Sequence, residues 1–276
     1  LAILTTAGWY SKYERAGILE SSICVANSQS TLKEFNRWYR PDENFDCEVI
    51  LWGCDHKVFR PSNTDEESEQ LEHERIRRLY GCGDEAALSH QSDTNTPMLL
   101  AVGRLVARKG YMTLLRAMPK VLNKNPGAKL VIVGRGHMKA SLEKNARKLG
   151  ISDSIHIQSS LSFAELAQHF RSADLVVYPS YYEGQGLIPL ESLASGTPVA
   201  TVDQEPLTEM VDSTVGGLFK RGDPVDLARC VNEMLSSDET AGKAILGRER
   251  VLSKYTYENN ASEYEAVFQR AIEKKG

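Results

Sequence analysis

The sequence predicts an α/β fold, a doubly wound parallel sheet flanked by helices, and three observations carry that expectation. From residue 97 onward, short apolar runs alternate with segments whose apolar residues recur at helical spacing, the pattern of strand–helix–strand units. Helix boundaries are marked where the alternation needs them: Gly150 and Gly196 close helices, Ser162 and Glu165 have capping-box spacing, and Asp223 before Pro224 opens a further helix. The chain also has room for such a sheet, with 276 residues, 41% hydrophobic and 25% charged, a length that suggests about two domains.

In order, residues 23–26 read as a strand leading into a helix over 30–38, and 47–51 as another strand, pieces of a separate N-terminal unit. Residues 62–96 are polar, with a charged helix over 65–80 bearing Leu71, Ile76 and Leu79, then 89–96 without apolar content; this reads as a linker or surface insertion. Residues 98–102 form a buried strand, followed by a helix over 111–123 with Leu114, Leu115, Met118, Val121 and Leu122 on one stripe and an expected kink at Pro119. Strand 129–133 precedes a helix marked by Met138, Leu142, Ala146 and Leu149, and strand 154–157 precedes the helix capped by Ser162. Strand 175–178, helix 187–194, strand 198–202, a short strand at 217–219 and helix 224–235 follow. The last element is a helix over 258–274 whose stripe is Tyr264, Val267, Phe268 and Ile272.

Composition excludes several functions. Thirty-three Lys and Arg against 37 Asp and Glu give a net charge of −4, so nothing global attracts nucleic acid and any anion site must be local. The five cysteines are scattered without a C-x-x-C pair, which reads as buried or incidental thiols in a reducing cytosol. The six histidines show no metal-binding spacing, so no metal site is expected. No apolar run approaches the ~18 residues of a membrane span. The expectation is a soluble cytoplasmic protein, with peripheral contact at the inner face of a membrane left open.

In an open parallel sheet, ligands bind beyond the carboxyl ends of the strands, so the loops leaving those ends hold the candidate site. Gly103 and Arg104 follow the first strand of the sheet, with Lys109 and Gly110 close behind. Gly134, Arg135 and Gly136 follow the second; they are no dinucleotide fingerprint, because Lys139 stands where the third Gly belongs. Ser159, Ser160 and Leu161 follow the third, and Glu183, Gly184, Gln185 and Gly186 the fourth. Bare backbone at Gly184 and Gly186, just before the helix at Leu187, lets amides approach a phosphate with the helix dipole behind them. Arg104 and Lys109 add two full positive charges. Glu183 and Glu191, with seven residues between them, can face one cleft, and a carboxylate there suits the hydroxyls of a sugar.

Ala101-Val102-Gly103-Arg104-Leu105 with Lys109-Gly110, Val131-Ile132-Val133-Gly134, Ala173-Asp174 leading to Tyr178-Pro179-Ser180, Glu183-Gly184-Gln185-Gly186-Leu187 through Leu190-Glu191, and Ser195-Gly196-Thr197-Pro198-Val199 carry a resemblance. Together they resemble the donor domain of retaining glycosyltransferases of the GT-B fold, the group 1 (family four) class, from about residue 24 to the C-terminus. The resemblance implies a hexose-type sugar moved from a UDP- or GDP-sugar to an acceptor hydroxyl, without metal or other cofactor, the acceptor being a glycan, lipid or small molecule. It implies that Arg104 and Lys109 hold the diphosphate, Glu191 the ribose and Glu183 the transferred sugar, so that Glu183, Arg104 and Lys109 form the catalytic set. The donor-binding set adds Gly103, Gly184, Gln185, Gly186, Leu187 and Ile188, with Arg135 and Leu161 bordering the nucleobase. Gln185 departs from the Phe more common at its position, and Ser159 from a Gly.

The implied organisation is an incomplete acceptor-binding domain over 1–55, a crossover with polar insertion over 56–96, the donor domain over 97–255, and a helix over 256–276 crossing back to the first domain. The alternatives at this stage are a nucleotide-sugar-binding fragment that transfers poorly alone, or another GT-B enzyme such as a sugar-nucleotide epimerase or a phosphorylase.

Overall fold

A computed structural model describes residues 17–63, 65–82 and 96–274. The N-terminal unit consists of β1 (Cys24–Ala26), α1 (Gln29–Tyr39) and β2 (Cys47–Val49), with β1 and β2 paired in parallel. Then come α2 (Glu67–Leu79), β3 (Met98–Val102), α3 (Tyr111–Lys124), β4 (Lys129–Val133), α4 (Lys139–Lys148), β5 (Ile155–Gln158), α5 (Phe163–Ser172), β6 (Leu175–Tyr178), α6 (Leu187–Ala194), β7 (Val199–Val202), β8 (Gly217–Phe219), α7 (Pro224–Ser236), α8 (Glu239–Lys254) and α9 (Tyr257–Glu273).

Six strands form one parallel sheet in the order β5-β4-β3-β6-β7-β8. All residues of β3, β6 and β7 are buried, as strands covered on both faces must be. The helices supply that cover: α3 lies against α7 and α4, while α2 packs on α5 and α6 on α8. From β3 the chain steps outward through β4 to β5, then returns through α5 to place β6 on the other side of β3. The order therefore reverses between β3 and β6, and the loops leaving these two strands diverge there. That crevice is where a doubly wound sheet binds ligands.

Several details differ from the sequence reading. Helix α2, expected within a polar insertion, packs on α5 with Ile76 fully buried. Its Arg77 donates to the carbonyls of Ser172 and Thr96 and to the Asp174 carboxylate, tying the helix to the segments that enter β6 and β3. Residues 83–95, which include most of the 89–96 stretch read as apolar-free, lie outside the described residues, as do 1–16 of the N-terminal unit. Helix α8 has no counterpart in the sequence reading. Gly242 and Gly247 weaken its helical signal, and its apolar residues Ile245, Leu246 and Leu252 face solvent. Gly247 is needed there because a Cβ would stand 2.4 Å from the Leu193 side chain.

Helix α9 crosses back onto the N-terminal unit. Asn260 accepts from the Gly53 amide and donates to the Leu51 carbonyl, while Lys274 and Arg270 pair with Asp46 and Glu48. Of its expected stripe, Val267 is buried, whereas Phe268 and Ile272 are exposed.

Candidate functional site at the strand-order reversal

The loops after β3 and β6 are locked together by backbone. Gly110 has φ +70°, and an added Cβ would lie 1.9 Å from the Pro179 carbonyl oxygen, so only glycine lets the start of α3 approach the end of β6. The Tyr181 amide donates to the Arg108 carbonyl (2.7 Å), and the Arg108 guanidinium returns a bond to the Tyr182 carbonyl (2.7 Å). The loop after β4 joins the same cluster. A Cβ on Gly134 would meet the Gly103 carbonyl at 1.9 Å, and the Leu105 amide donates to the Arg135 carbonyl (2.8 Å).

Within this frame Lys109 and Glu183 form a buried ion pair, Nζ to Oε1 at 2.5 Å, each side chain about one-tenth exposed. Tyr178 Oη donates to the same Oε1 (2.7 Å) while accepting from Lys109 Nζ (2.7 Å), and Ser180 Oγ donates to Oε1 at 2.5 Å. Burial alone pushes the Glu183 carboxyl upward, but the bonds from Lys109 and Ser180, the Lys109 charge and the Tyr178 bond outweigh it and hold the group below the usual glutamate value. Arg108 lies 3.6 Å from the other oxygen, Oε2. The charges of Arg108 and Arg104 both bear on Lys109, so three cations converge at this end of the sheet.

Arg104 is exposed, and its guanidinium makes no hydrogen bond or ion pair with the described residues. Arg135 and Ser160 are exposed, and Leu161 packs partly against the core. Gly186, at φ +103°, opens α6 without a capping side chain, as α2, α3, α4 and α8 also start, whereas Ser28, Ser162, Asp223 and Thr256 cap α1, α5, α7 and α9. The first amides of α6 are thereby left to a ligand or to water. Leu187 and Ile188 are half-buried on that first turn.

Glu191 lies on α6, 8% exposed, and its Oε2 is buried without a hydrogen-bond partner. Desolvation pushes its carboxyl up to about 7. The hydroxyl of Tyr111, at the start of α3, is likewise buried and without a partner. Orphaned buried polar groups cost about 1–3 kcal/mol each, and side-chain atoms of His156, Ser172 and Ser195 are orphaned in the same way.

Gln185 points elsewhere. It is 2% exposed, and its amide donates to the Trp52 carbonyl (2.8 Å) and accepts from the Trp52 amide (2.7 Å). With Asn260 on the neighbouring backbone groups, it clamps residues 51–53 between the loop after β6 and α9. Gly184 faces the N-terminal unit, where Thr31 Oγ1 donates to its carbonyl (3.2 Å). The Glu209 carboxylate accepts from the amides of Gln29 and Ser30 at the start of α1, both at 3.0 Å. Tyr178, Ser180 and Arg108 were not singled out as site residues by the sequence. Tyr178 ends a strand beside β3, so the carboxyl-end rule could have found it.

Comparison with known proteins comes from three directions. The family model described as Glycosyl transferases group 1 matches residues 84–247. Uncharacterized glycosyltransferase MJ1607 of Methanocaldococcus jannaschii is 36% identical over 182 residues, 65% of this chain and 46% of that protein. The GDP-mannose-dependent alpha-(1-6)-phosphatidylinositol monomannoside mannosyltransferase of Mycobacterium tuberculosis is 32% identical over 224 residues, 78% of this chain and 54% of that protein. The chain thus spans about half the length of the curated relatives it matches. Among solved structures, Anabaena Alr3699/HepE in complex with UDP and glucose superposes with a TM-score of 0.76 at 19% identity, covering 90% of this chain and 63% of that one.

Proposed function

Because this chain belongs to the glycosyl transferases group 1 family and has the α/β architecture of the GT-B glycosyltransferases, we propose that it binds a nucleotide diphosphate sugar in the β3–β6 crevice. There it takes part in retaining transfer of a hexose-type sugar to an acceptor hydroxyl. The observation that carries this reading is the convergence of Arg104, Lys109 and the uncapped start of α6 at the strand-order reversal. Transfer builds negative charge on the leaving diphosphate and positive charge on the sugar carbon, so fixed cations and amide dipoles at the diphosphate stabilise the transition state. Arg104, without a partner among the described residues, and the α6 amides take the diphosphate, and Lys109 reaches it from its pair with Glu183. Glu183 lies against the sugar, and Glu191 accepts from the ribose hydroxyls, which would satisfy its orphaned oxygen. These protein charges do the work without a divalent metal. The GDP-mannose in one relative's name and the UDP and glucose in one neighbour's structure support a nucleoside diphosphate hexose as donor.

Titration calorimetry with UDP and with GDP tests the assignment. Loss of a charge-assisted bond of about 1.5–3 kcal/mol lowers affinity about tenfold to hundredfold in Arg104→Ala. The melting temperature should hold, because the side chain is exposed and has no partner among the described residues. The wild-type titration should be the same in a chelator. Unchanged affinity in the variant for both nucleotides rejects the role of Arg104.

A further inference from the structure

We infer that Tyr178 and Ser180 are positioning residues that engage one oxygen of Glu183 and so present the other, Oε2, to the sugar of the donor. The inference rests on the proposed donor site and adds to it the two side chains that aim its central carboxylate.

The geometry gives each hydroxyl one direction to donate. Tyr178 Oη accepts from Lys109 Nζ, so its single proton points at Glu183 Oε1. Ser180 Oγ has contacts of 3.3 and 3.4 Å to the carbonyls of Arg108 and Tyr182, but its contact with Oε1 is far shorter, at 2.5 Å. With Lys109, three donors meet on Oε1, more than its two lone pairs accept in ideal geometry. Oε2 makes no hydrogen bond with the described residues; it has an ion pair with Arg108 at 3.6 Å, which leaves its lone pairs open to a hydroxyl. The carboxylate thus has one committed oxygen and one left to receive from a sugar hydroxyl.

The donors cannot easily follow a displaced carboxylate. Tyr178 is 3% and Ser180 2% exposed, and both flank Pro179, whose carbonyl is held against Gly110. The end of β6 is therefore a rigid bracket for Glu183, which itself sits on a loop.

The test compares each nucleotide diphosphate with its sugar-bearing form, using calorimetry with UDP, UDP-glucose, GDP and GDP-mannose on the wild-type chain, Ser180→Ala and Tyr178→Phe. The expected result in both variants is a fall of about tenfold in affinity for the sugar-bearing nucleotide relative to its own diphosphate, and in Ser180→Ala affinity for the diphosphate stays within about twofold. The relative affinity should also fall further towards pH 5 in the variants and stay flat in the wild type, since fewer donors then hold Glu183 ionised. An unchanged ratio in both variants overturns the inference. Equal weakening of both members of a pair also overturns it, because the residues would then shape the pocket as a whole. If neither diphosphate binds the wild-type chain, the donor-site reading itself falls and this inference with it.

Discussion

Lys109→Ala is expected to lower the unfolding free energy by about 3 kcal/mol, the low end of the cost of removing one partner from a buried ion pair, because Arg108 still faces Glu183 Oε2 at 3.6 Å. Glu183 is the charge left behind, about one-tenth exposed and still facing Ser180 and Tyr178. Urea denaturation should show a lower midpoint with unchanged slope. The double variant Lys109→Ala/Glu183→Gln should recover much of the loss, since it removes the stranded charge. Nucleotide affinity should fall about tenfold to hundredfold as well. Arg104→Ala thus separates from Lys109→Ala: the first weakens binding alone, the second binding and stability together. A loss of less than about 1 kcal/mol would mean that the pair behaves as a surface pair, for which that value is ordinary.

Glu191→Gln should move stability and binding in opposite directions. The carboxyl titrates near 7 in the folded chain against 4.5 for the ordinary group, because burial disfavours its charge. A carboxyl whose pKa is raised on folding contributes stability that is fully present below the unfolded pKa and lost as pH rises through the folded one. The difference corresponds to about 3 kcal/mol at 1.36 kcal/mol per unit. Glutamine cannot ionise, so the variant should match the wild type near pH 4 and exceed it by about 3 kcal/mol near pH 9, measured by urea denaturation. Nucleotide affinity of the wild type should rise with pH through about 7, as the carboxylate that accepts the ribose hydroxyls forms. The variant should bind more weakly above pH 7 and lack that rise. A wild-type affinity flat from pH 5 to 9 would remove Glu191 from the ribose.

What the sequence could and could not say follows from the range of the interactions. Strands β3, β6 and β7 were legible because continuous burial leaves an unbroken apolar run, and the ends of those runs located Arg104, Lys109 and Glu183. Periodicity failed at α8, where apolar residues face solvent and a glycine faces the core. Pairings were out of reach. The sequence brought Lys109 and Glu183 to one crevice as two separate ligands for the donor, and only the fold, 74 positions apart along the chain, makes them partners. Gln185 was read as a donor contact, and its side-chain amide bonds the backbone of Trp52, 133 positions away. Nothing local marks such a bond.

Hydrogen exchange read by mass spectrometry with saturating UDP or GDP tests the central claim most directly. The account predicts slowed exchange at residues 103–110 and 183–191, on the two loops that flank the strand-order reversal, with β5 and α7 unchanged. Protection confined to β5 or α7, or none anywhere at saturation, would contradict a donor site between β3 and β6.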